Sequence, residues 1–539
     1  MTDSYLPPTM ISRRAALVIP LGLATLRPAR AATEPVRGGT MVMIVNPEPS
    51  TLAHYVVTAG NIPMIATQVY EGLLTYDWDN KPQSNLAKSW DVAADGKSIT
   101  FKLQTGVTFH NGAAFTSADV QYSLMEILKK YHPTAPVVLA ELIAVETPDP
   151  ETAIFRLAKP APYIMKALAA RDLPILCKSV FEGTDVMANP TANKPIGTGP
   201  FKFVQWERGQ FVRLDRNDKY WKPGLPYLNR IVARFIPDAA TRSAAMETGE
   251  AHFAGYSAVN YADVARMKTN PILDTTTKGY EMSPALSVLE LNSRRPHLDK
   301  KEVRQAIAYA IDRTFIRDNV MFGYGLPATG PLSRLFTPSG LYTDAVRRFD
   351  VPDRLDIANE LLDDSGVPRG ADGVRFSLHL EVNSFGEQWL RQAEYLKQAL
   401  SQVGIAVTLR SEDTATWLRR VYTDYDYDIS EPFLGQGIDP VVGLNRQYLS
   451  SQIRKGVTFV NNSFYSNPEI DRLLDEGRSE IDPAKRADIY HRVQKILVED
   501  SPLIWLIDVQ YVSVFNRRLH NHTTGPLGTY QAFETAWLG

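Results

Sequence analysis

Nine histidines, one cysteine and sixty carboxylates are the raw material for chemistry in this chain, and their spacing is sparse. A nucleophile elbow reads Gly-x-Ser-x-Gly, a zinc-hydrolase helix His-Glu-x-x-His, and a phosphate cradle ends in Gly-Lys-Ser/Thr after an upstream glycine; no complete form of any occurs. Gly96-Lys97-Ser98 lacks that upstream glycine and sits where a strand begins. His520-Asn521-His522 would set two imidazoles on one side of an extended segment, as a metal site needs, but no acid cluster lies nearby and a solvated turn is expected. Cys177 is alone, which excludes an intrachain disulfide and a Cys-based zinc cluster. Carboxylates are plentiful, yet no spacing singles out an acid–base pair. The expectation is therefore no catalytic residue, no metal ligand and no cofactor.

The elements that would position any binding residues are mixed α/β. The 539 residues are 44% hydrophobic and 22% charged with a formal net charge of −2, which excludes disorder and argues against a nucleic-acid binder. Length predicts two to four domains, with no repeat and no long linker. Asp95-Gly96 marks a turn, and Ile99, Phe101 and Leu103 alternate after it as a half-buried strand that Val107 and Phe109 continue. Thr116 with Asp119 forms a capping-box variant ahead of the helical stripe Val120, Leu124, Ile127 and Leu128. Asp299 and Glu302 predict a capped helix whose stripe runs from Val303 to Phe315. Further helices are expected at 387–403, stopped by Gly404, and from Asp482-Pro483 onward; Ile405, Val407 and Leu409 read as a strand.

The N-terminus reads as an address. Arg13-Arg14 precedes an apolar run of 12 residues, Ala15 to Leu26, and Ala29-Arg30-Ala31 supplies a small-x-small cleavage pattern. The run is too short to span a membrane, and the paired arginines after Ser12 resemble a twin-arginine signal. Cleavage after Ala31 or Ala32 would remove four arginines and one aspartate, leaving a mature chain near −5. A periplasmic location is expected, without a lipid anchor.

One block is distinctive: Leu86-Ala87-Lys88-Ser89-Trp90, Asp95-Gly96, Phe101-Lys102-Leu103, Gly106-Val107, Phe109-His110-Asn111-Gly112, Phe115-Thr116 and Asp119-Val120. It closely resembles the signature of the peptide/nickel-type (family 5) periplasmic solute-binding proteins of ABC importers. Tyr70-Glu71-Gly72-Leu73, Gly197-Thr198-Gly199-Pro200-Phe201, Asn217 to Trp221, Val303 to Arg313, and Pro468-Glu469-Ile470-Asp471 agree in order. Most of these blocks read as structural, with Gly197 and Gly199 in a tight turn and Trp90, Phe101 and Phe109 in the core.

The resemblance implies a two-lobed periplasmic-binding-protein fold of type II with an extra inserted domain and a ligand cleft between the lobes. Lobe one would be 33–76, 196–290 and 510–539; the insert 77–195; lobe two 291–509. The partners would be a small solute (a peptide, an opine-like or sugar conjugate, or a chelated metal) and ABC permease and ATPase subunits, with no nucleic acid, and the chain would be a monomer closing about a hinge. Peptide binders of the family hold the ligand's α-amine with an aspartate in a loop that falls here on Gln436 or Gly437, in the stretch Tyr427 to Pro440. Neither carries charge, so Gln436 would suit an amide, hydroxyl or sugar-like group. Asp439 could be displaced into the role, although capping is its commoner job. His54, Tyr55, Tyr280, Met282 and Trp505 fall where the family presents loops to the cleft, and Arg446 could pair a ligand carboxylate. Two rival classes use the same features: an exported hydrolase acting on a small polar substrate, and a sensory binding protein without transport.

Overall fold

The computed structural model describes residues 34–383 and 386–539. The export signal expected at 1–32 lies outside them. Two seven-stranded sheets carry the architecture. The first runs Leu273–Thr276, Ser513–Asn516, Phe253–Ala254, Thr40–Ile44, Arg230–Arg234, Phe211–Arg216, Phe201–Glu207. Thr40–Ile44 is parallel to both neighbours, with Met41 opposite Ile231 and Met43 opposite Phe253. The second runs Leu326–Pro327, Leu503–Asp508, Ala285–Leu291, Ile429–Ser430, Phe376–Glu381, Ile405–Arg410, with Phe433–Gly435 also pairing to Ala285–Leu291. Every residue of Ala285–Leu291 and of Leu503–Asp508 is buried, because helices cover the sheet and leave no solvent face to alternate with. A separate antiparallel sheet of Ala87–Val92, Ser98–Leu103, Thr152–Leu157 and Leu142–Asp149 lies within the stretch expected as the insert.

The chain passes between the two large sheets twice. It leaves the first after Thr276 and enters the second at Ala285, ahead of the boundary expected at 290; it returns between Asp508 and Ser513. Among the described residues no helix is long and apolar enough to cross a membrane.

Local signals held where side chains and backbone agree. The Thr116–Asp119 capping box opens Ser117–Gln121, which widens into a π-helical stretch through Leu128. Asp482 accepts from the Ala484 and Lys485 amides and opens Pro483–Asp500. Glu387–Ser401 ends two residues short of the expected 403, ahead of Gly404 in the left-handed region. Other expectations need correction. Asp299 does not cap: the helix is Lys301–Ala310, begun at Lys300 without a side-chain cap. Its stripe stops there, because Asp312 caps a new short helix and Phe315 turns outward, 41% exposed. Val107 and Phe109 are buried but lie outside any named strand. Gly197 and Gly199 are needed for close approach rather than a turn, since a Cβ at either would stand 2.0 and 2.6 Å from the Val69 carbonyl oxygen.

Candidate ligand-binding site

The two passages between the sheets, 277–284 and 509–512, each carry a tyrosine into one cluster at the seam. Tyr280 and Tyr511 have ring centroids 5.4 Å apart, and Tyr256 stacks on Tyr511 at 4.5 Å. Tyr530 meets Tyr256 edge-on at 5.7 Å. The cluster is held by hydrogen bonds: Tyr280 Oη lies 2.6 Å from Ser513 Oγ and accepts from the Tyr256 amide at 2.6 Å. Tyr256 and Ser257 both sit at positive φ, 55° and 53°, a conformation non-glycine residues seldom adopt, so this turn is fixed by its surroundings. Burial keeps the phenols of Tyr280, Tyr511 and Tyr530 well above their ordinary pKa, and they remain hydrogen-bond donors. The second sheet contributes Phe433, which packs against this cluster and stacks flat on Trp389 at 5.5 Å.

Above Tyr530 lies Arg171, its guanidinium carbon 5.2 Å from the ring centroid. Arg171 Nη1 donates to the Met282 carbonyl at 3.0 Å and pairs with Asp172 at 3.4 Å. The Arg171 carbonyl accepts from His54 Nε2. His54 is buried, and desolvation together with the Arg171 charge lowers its pKa to about 4, so it is a neutral ring that clamps the arginine's backbone from behind. Nearby, His132 Nδ1 accepts from the Ala135 amide at 3.0 Å, and burial lowers its pKa to about 3. Burial raises the Asp172 carboxyl, and the Arg171 charge offsets part of that rise.

The expected site residues divide. Tyr280, Met282 and His54 come together around Arg171, as just described. Tyr55 sits in the core beneath, its ring edge-on to Phe181 at 5.0 Å. Gln436 is fully buried with both ends engaged: Oε1 accepts from the Ser333 amide at 2.7 Å and Nε2 donates to the Pro331 carbonyl at 2.5 Å. It clamps two loops instead of facing a cavity. Asp439 caps Pro440–Tyr448 and takes a bidentate bond from Arg486 at 2.6 and 3.0 Å. Burial alone would raise its pKa, but Arg486 and Lys166 hold it below the ordinary value. Arg446 is half-buried and faces the charges of buried Glu290 and Tyr422 inside the second lobe. Trp505 is 2% exposed in the second sheet's core and donates to Tyr448 Oη at 2.9 Å. The histidines near the C-terminus separate: His520 stacks on Trp537 at 4.0 Å while the half-buried His522 ring tilts against Phe515 at 4.0 Å. No three metal-ligating residues cluster among the described residues.

Arg171, Asp172, Tyr256, Tyr511 and Tyr530 escaped the sequence reading. A signal existed: Lys166, Arg171 and Asp172 are the only charges between Ala161 and Cys177, in a stretch otherwise apolar. Lys166 also has a cross-seam partner, Asp439, at 3.4 Å, and Glu141 pairs with Arg478 at 3.3 Å. These two pairs join the segment 135–172 to the second lobe, where Ile438, Val441 and Val442 pack into the core that contains Phe101, Phe155 and Leu168.

Two sheets joined by two short passages, with a polar aromatic seam between them, define a receptor that closes on a small solute. The family model for bacterial extracellular solute-binding proteins, family 5, matches residues 81–455, and the chain belongs to that family. It has the two-lobed periplasmic-binding-protein fold and the function of a solute-binding receptor of an ABC importer. The glutathione-binding protein GsiB of Escherichia coli O1:K1 is 28% identical over 93% of this chain and 94% of its own length. AgaA of Agrobacterium tumefaciens R10, solved with agropinic acid, is 28% identical with a TM-score of 0.76, covering 93% of this chain and 99% of its own. The oligopeptide-binding protein AppA of Bacillus subtilis, solved with a nonapeptide, is 25% identical with a TM-score of 0.78, covering 94% and 100%. These relatives are binding proteins, not enzymes.

Proposed function

We propose that the protein captures a small peptide-like solute bearing a carboxylate, seats it on Arg171 at the seam, closes by hinge motion and delivers it to a membrane permease. The observation that carries this reading is Arg171 itself. Only Nη1 of its guanidinium has a hydrogen-bond partner among the described residues, and Nε and Nη2 are left for a planar acid beside a wall of phenol donors. Glutathione, a peptide and agropinic acid, the ligands named for the relatives above, have a carboxylate in common. Aromatic surface with few polar groups suits a pocket that must exclude water and orient a small ligand.

In this reading lobe one comprises the first sheet, the stretch 77–195 is an inserted domain, and lobe two is built on the second sheet. Tyr280 and Met282 line the pocket, His54 supports it, and no residue performs catalysis. Export to the periplasm follows the twin-arginine route, and the receptor works as a monomer. The test is native mass spectrometry of the mature protein taken from the periplasm, followed by titration with glutathione, dipeptides and agropinic acid. A retained or titrated carboxylate ligand, lost in Arg171→Ala, is the expected result. Binding of a neutral sugar alone, unchanged by that substitution, would overturn it.

A further inference from the structure

The passages 277–284 and 509–512 reach the second sheet side by side: Leu286 lies opposite Asp508, and the Val509 amide donates to the Ala285 carbonyl at 2.9 Å. One chain of hydrogen bonds ties both ends to a single loop. The Gln436 amide donates to the Pro284 carbonyl at 2.9 Å, and Gln436 Oε1 accepts from the Ser333 amide at 2.7 Å. Ser333 Oγ donates to Asp508 Oδ1 at 2.7 Å, and the Arg334 amide closes the chain on Asp508 Oδ2 at 2.7 Å. Ser333 and Gln436 are fully buried and Asp508 nearly so, and buried bonds of this kind are strong because water does not compete for them.

The residue types fit their places. Gln436 accepts from Ser333 at one end of its amide and donates to the Pro331 carbonyl at 2.5 Å with the other. A carboxylate there would set a second acceptor against that carbonyl, so this chain carries an amide where peptide binders of the family carry an acid. Gly443 presses its helix onto the same residue, since a Cβ there would stand 2.4 Å from the Gln436 carbonyl oxygen. Burial pushes Asp508 up to about 6, against the two bonds and the Arg334 charge that favour its ionised form, so at neutral pH both oxygens accept. The next residues along each strip are held from the other side of the seam. The Met282 amide donates to the Pro526 carbonyl at 3.3 Å, and Tyr280 and Tyr511 are bonded to Tyr256.

We infer that Gln436, Ser333 and Asp508 are positioning residues for closure. Their chain of bonds fastens the ends of both strips to one loop of the second lobe, and bending is confined to the few residues between Met282 and Pro284 and between Asp508 and Tyr511. The lobes then meet in a single register, with the seam tyrosines presented in the same way at every closure. This rests on the hinge closure of the reading above and locates its pivot. A chain in series fails at any one link, so breaking one bond loosens the pivot as much as breaking two.

The test is the distance distribution between spin labels at two exposed positions, Gln210→Cys beside the first sheet and Lys397→Cys in the second lobe. It is measured without added ligand, in a Cys177→Ser background, at about pH 7.5 where Asp508 is ionised. A second pair within the second lobe, Lys397→Cys with Lys485→Cys, gives the width that labels alone produce. The expected result is an interlobe distribution wider than this control, widened about twofold further by Ser333→Ala or Gln436→Met and no further by the two together. Trp505→Ala, equally buried but outside the chain, should lower the melting temperature and leave the width alone. Unchanged width in the folded variants, additive widening in the double variant, or equal widening in Trp505→Ala would overturn the pivot and leave hinge closure standing. A wild-type interlobe distribution as narrow as the control would remove closure and the pivot together. Should the variants fail to fold, hydrogen exchange of the wild-type chain decides: the Ser333, Arg334 and Gln436 amides should exchange about tenfold or more slowly than those of Ser283 and Gln510, and equal rates would overturn the inference.

Discussion

Removing the ion pairs Lys166–Asp439 and Glu141–Arg478 is expected to shorten the time the closed receptor holds its ligand, a prediction with a size. Lys166 Nζ stands 3.4 Å from Asp439, whose carboxylate is fully buried while the lysine is 28% exposed. At an effective dielectric of about 20, a pair at that distance attracts by roughly 5 kcal/mol before desolvation and side-chain ordering are subtracted. Partly exposed pairs retain about 1 kcal/mol of this. Lys166→Met keeps the apolar stem and leaves Asp439 its two bonds from Arg486, so no unpaired charge is created. The loss is therefore about 1 kcal/mol, or roughly fivefold in the closed–open equilibrium. Glu141→Gln removes the pair to Arg478, which is similarly exposed, for a similar loss. If the two are independent the double variant loses about 2 kcal/mol, roughly thirtyfold. Stopped-flow displacement of bound ligand should show this increase in the dissociation rate with the association rate nearly unchanged. Raising salt from about 50 to 500 mM should accelerate release from the wild type and affect the double variant less. A folded double variant that releases ligand at the wild-type rate in low salt would refute the latch.

Other consequences can be measured separately. Trp505→Ala should cost about 3–5 kcal/mol in denaturant unfolding, because it empties a fully packed site, while the folded fraction binds ligand normally. Gly197→Ala should destabilise more than Gly199→Ala, since its Cβ would approach the Val69 carbonyl oxygen to 2.0 rather than 2.6 Å; unfolding midpoints decide this. Glu290 is pushed up to about 8 by burial, against hydrogen bonds from Asn462 at 3.0 Å and Tyr422 at 3.2 Å that favour its charged form. With a folded pKa above the unfolded one, its contribution is full below about pH 4.5 and falls away as pH rises through 8. The melting temperature should fall between about pH 4.5 and 8 and level off above, and Glu290→Gln should flatten that fall.

Much of the fold was legible because short-range chemistry decides it. The capping box at Thr116, the proline-led helix after Asp482 and the alternating Ile99, Phe101 and Leu103 each carry their instruction within a few residues. The helix after Asp299 misled because its stripe continues in sequence past a break that Asp312 imposes. The tyrosine cluster was harder still. Tyr256, Tyr511 and Tyr530 come from separate segments and meet only through the sheet order, which no local pattern contains. Gln436 and Trp505 pointed to the cleft by position, yet hydrogen bonds to distant backbone and to Tyr448 place them inside the second lobe. The charged residues at 166, 171 and 172 were visible as an interruption of apolar sequence, but what they interrupt for depends on residues a hundred or more positions away.

Tyr280 and Tyr511 belong to the two strips of chain that join the sheets, and in the proposed site the same two rings form the floor beneath the ligand. Recognition and articulation therefore share atoms. A change of ring at either position alters the resting angle of the molecule along with its taste, so variants selected for a new solute will drift in their opening equilibrium. For anyone converting this receptor into an optical sensor, the two tyrosines are the positions to leave alone, and selectivity is better retuned from the Arg171 side, which lies outside those two strips.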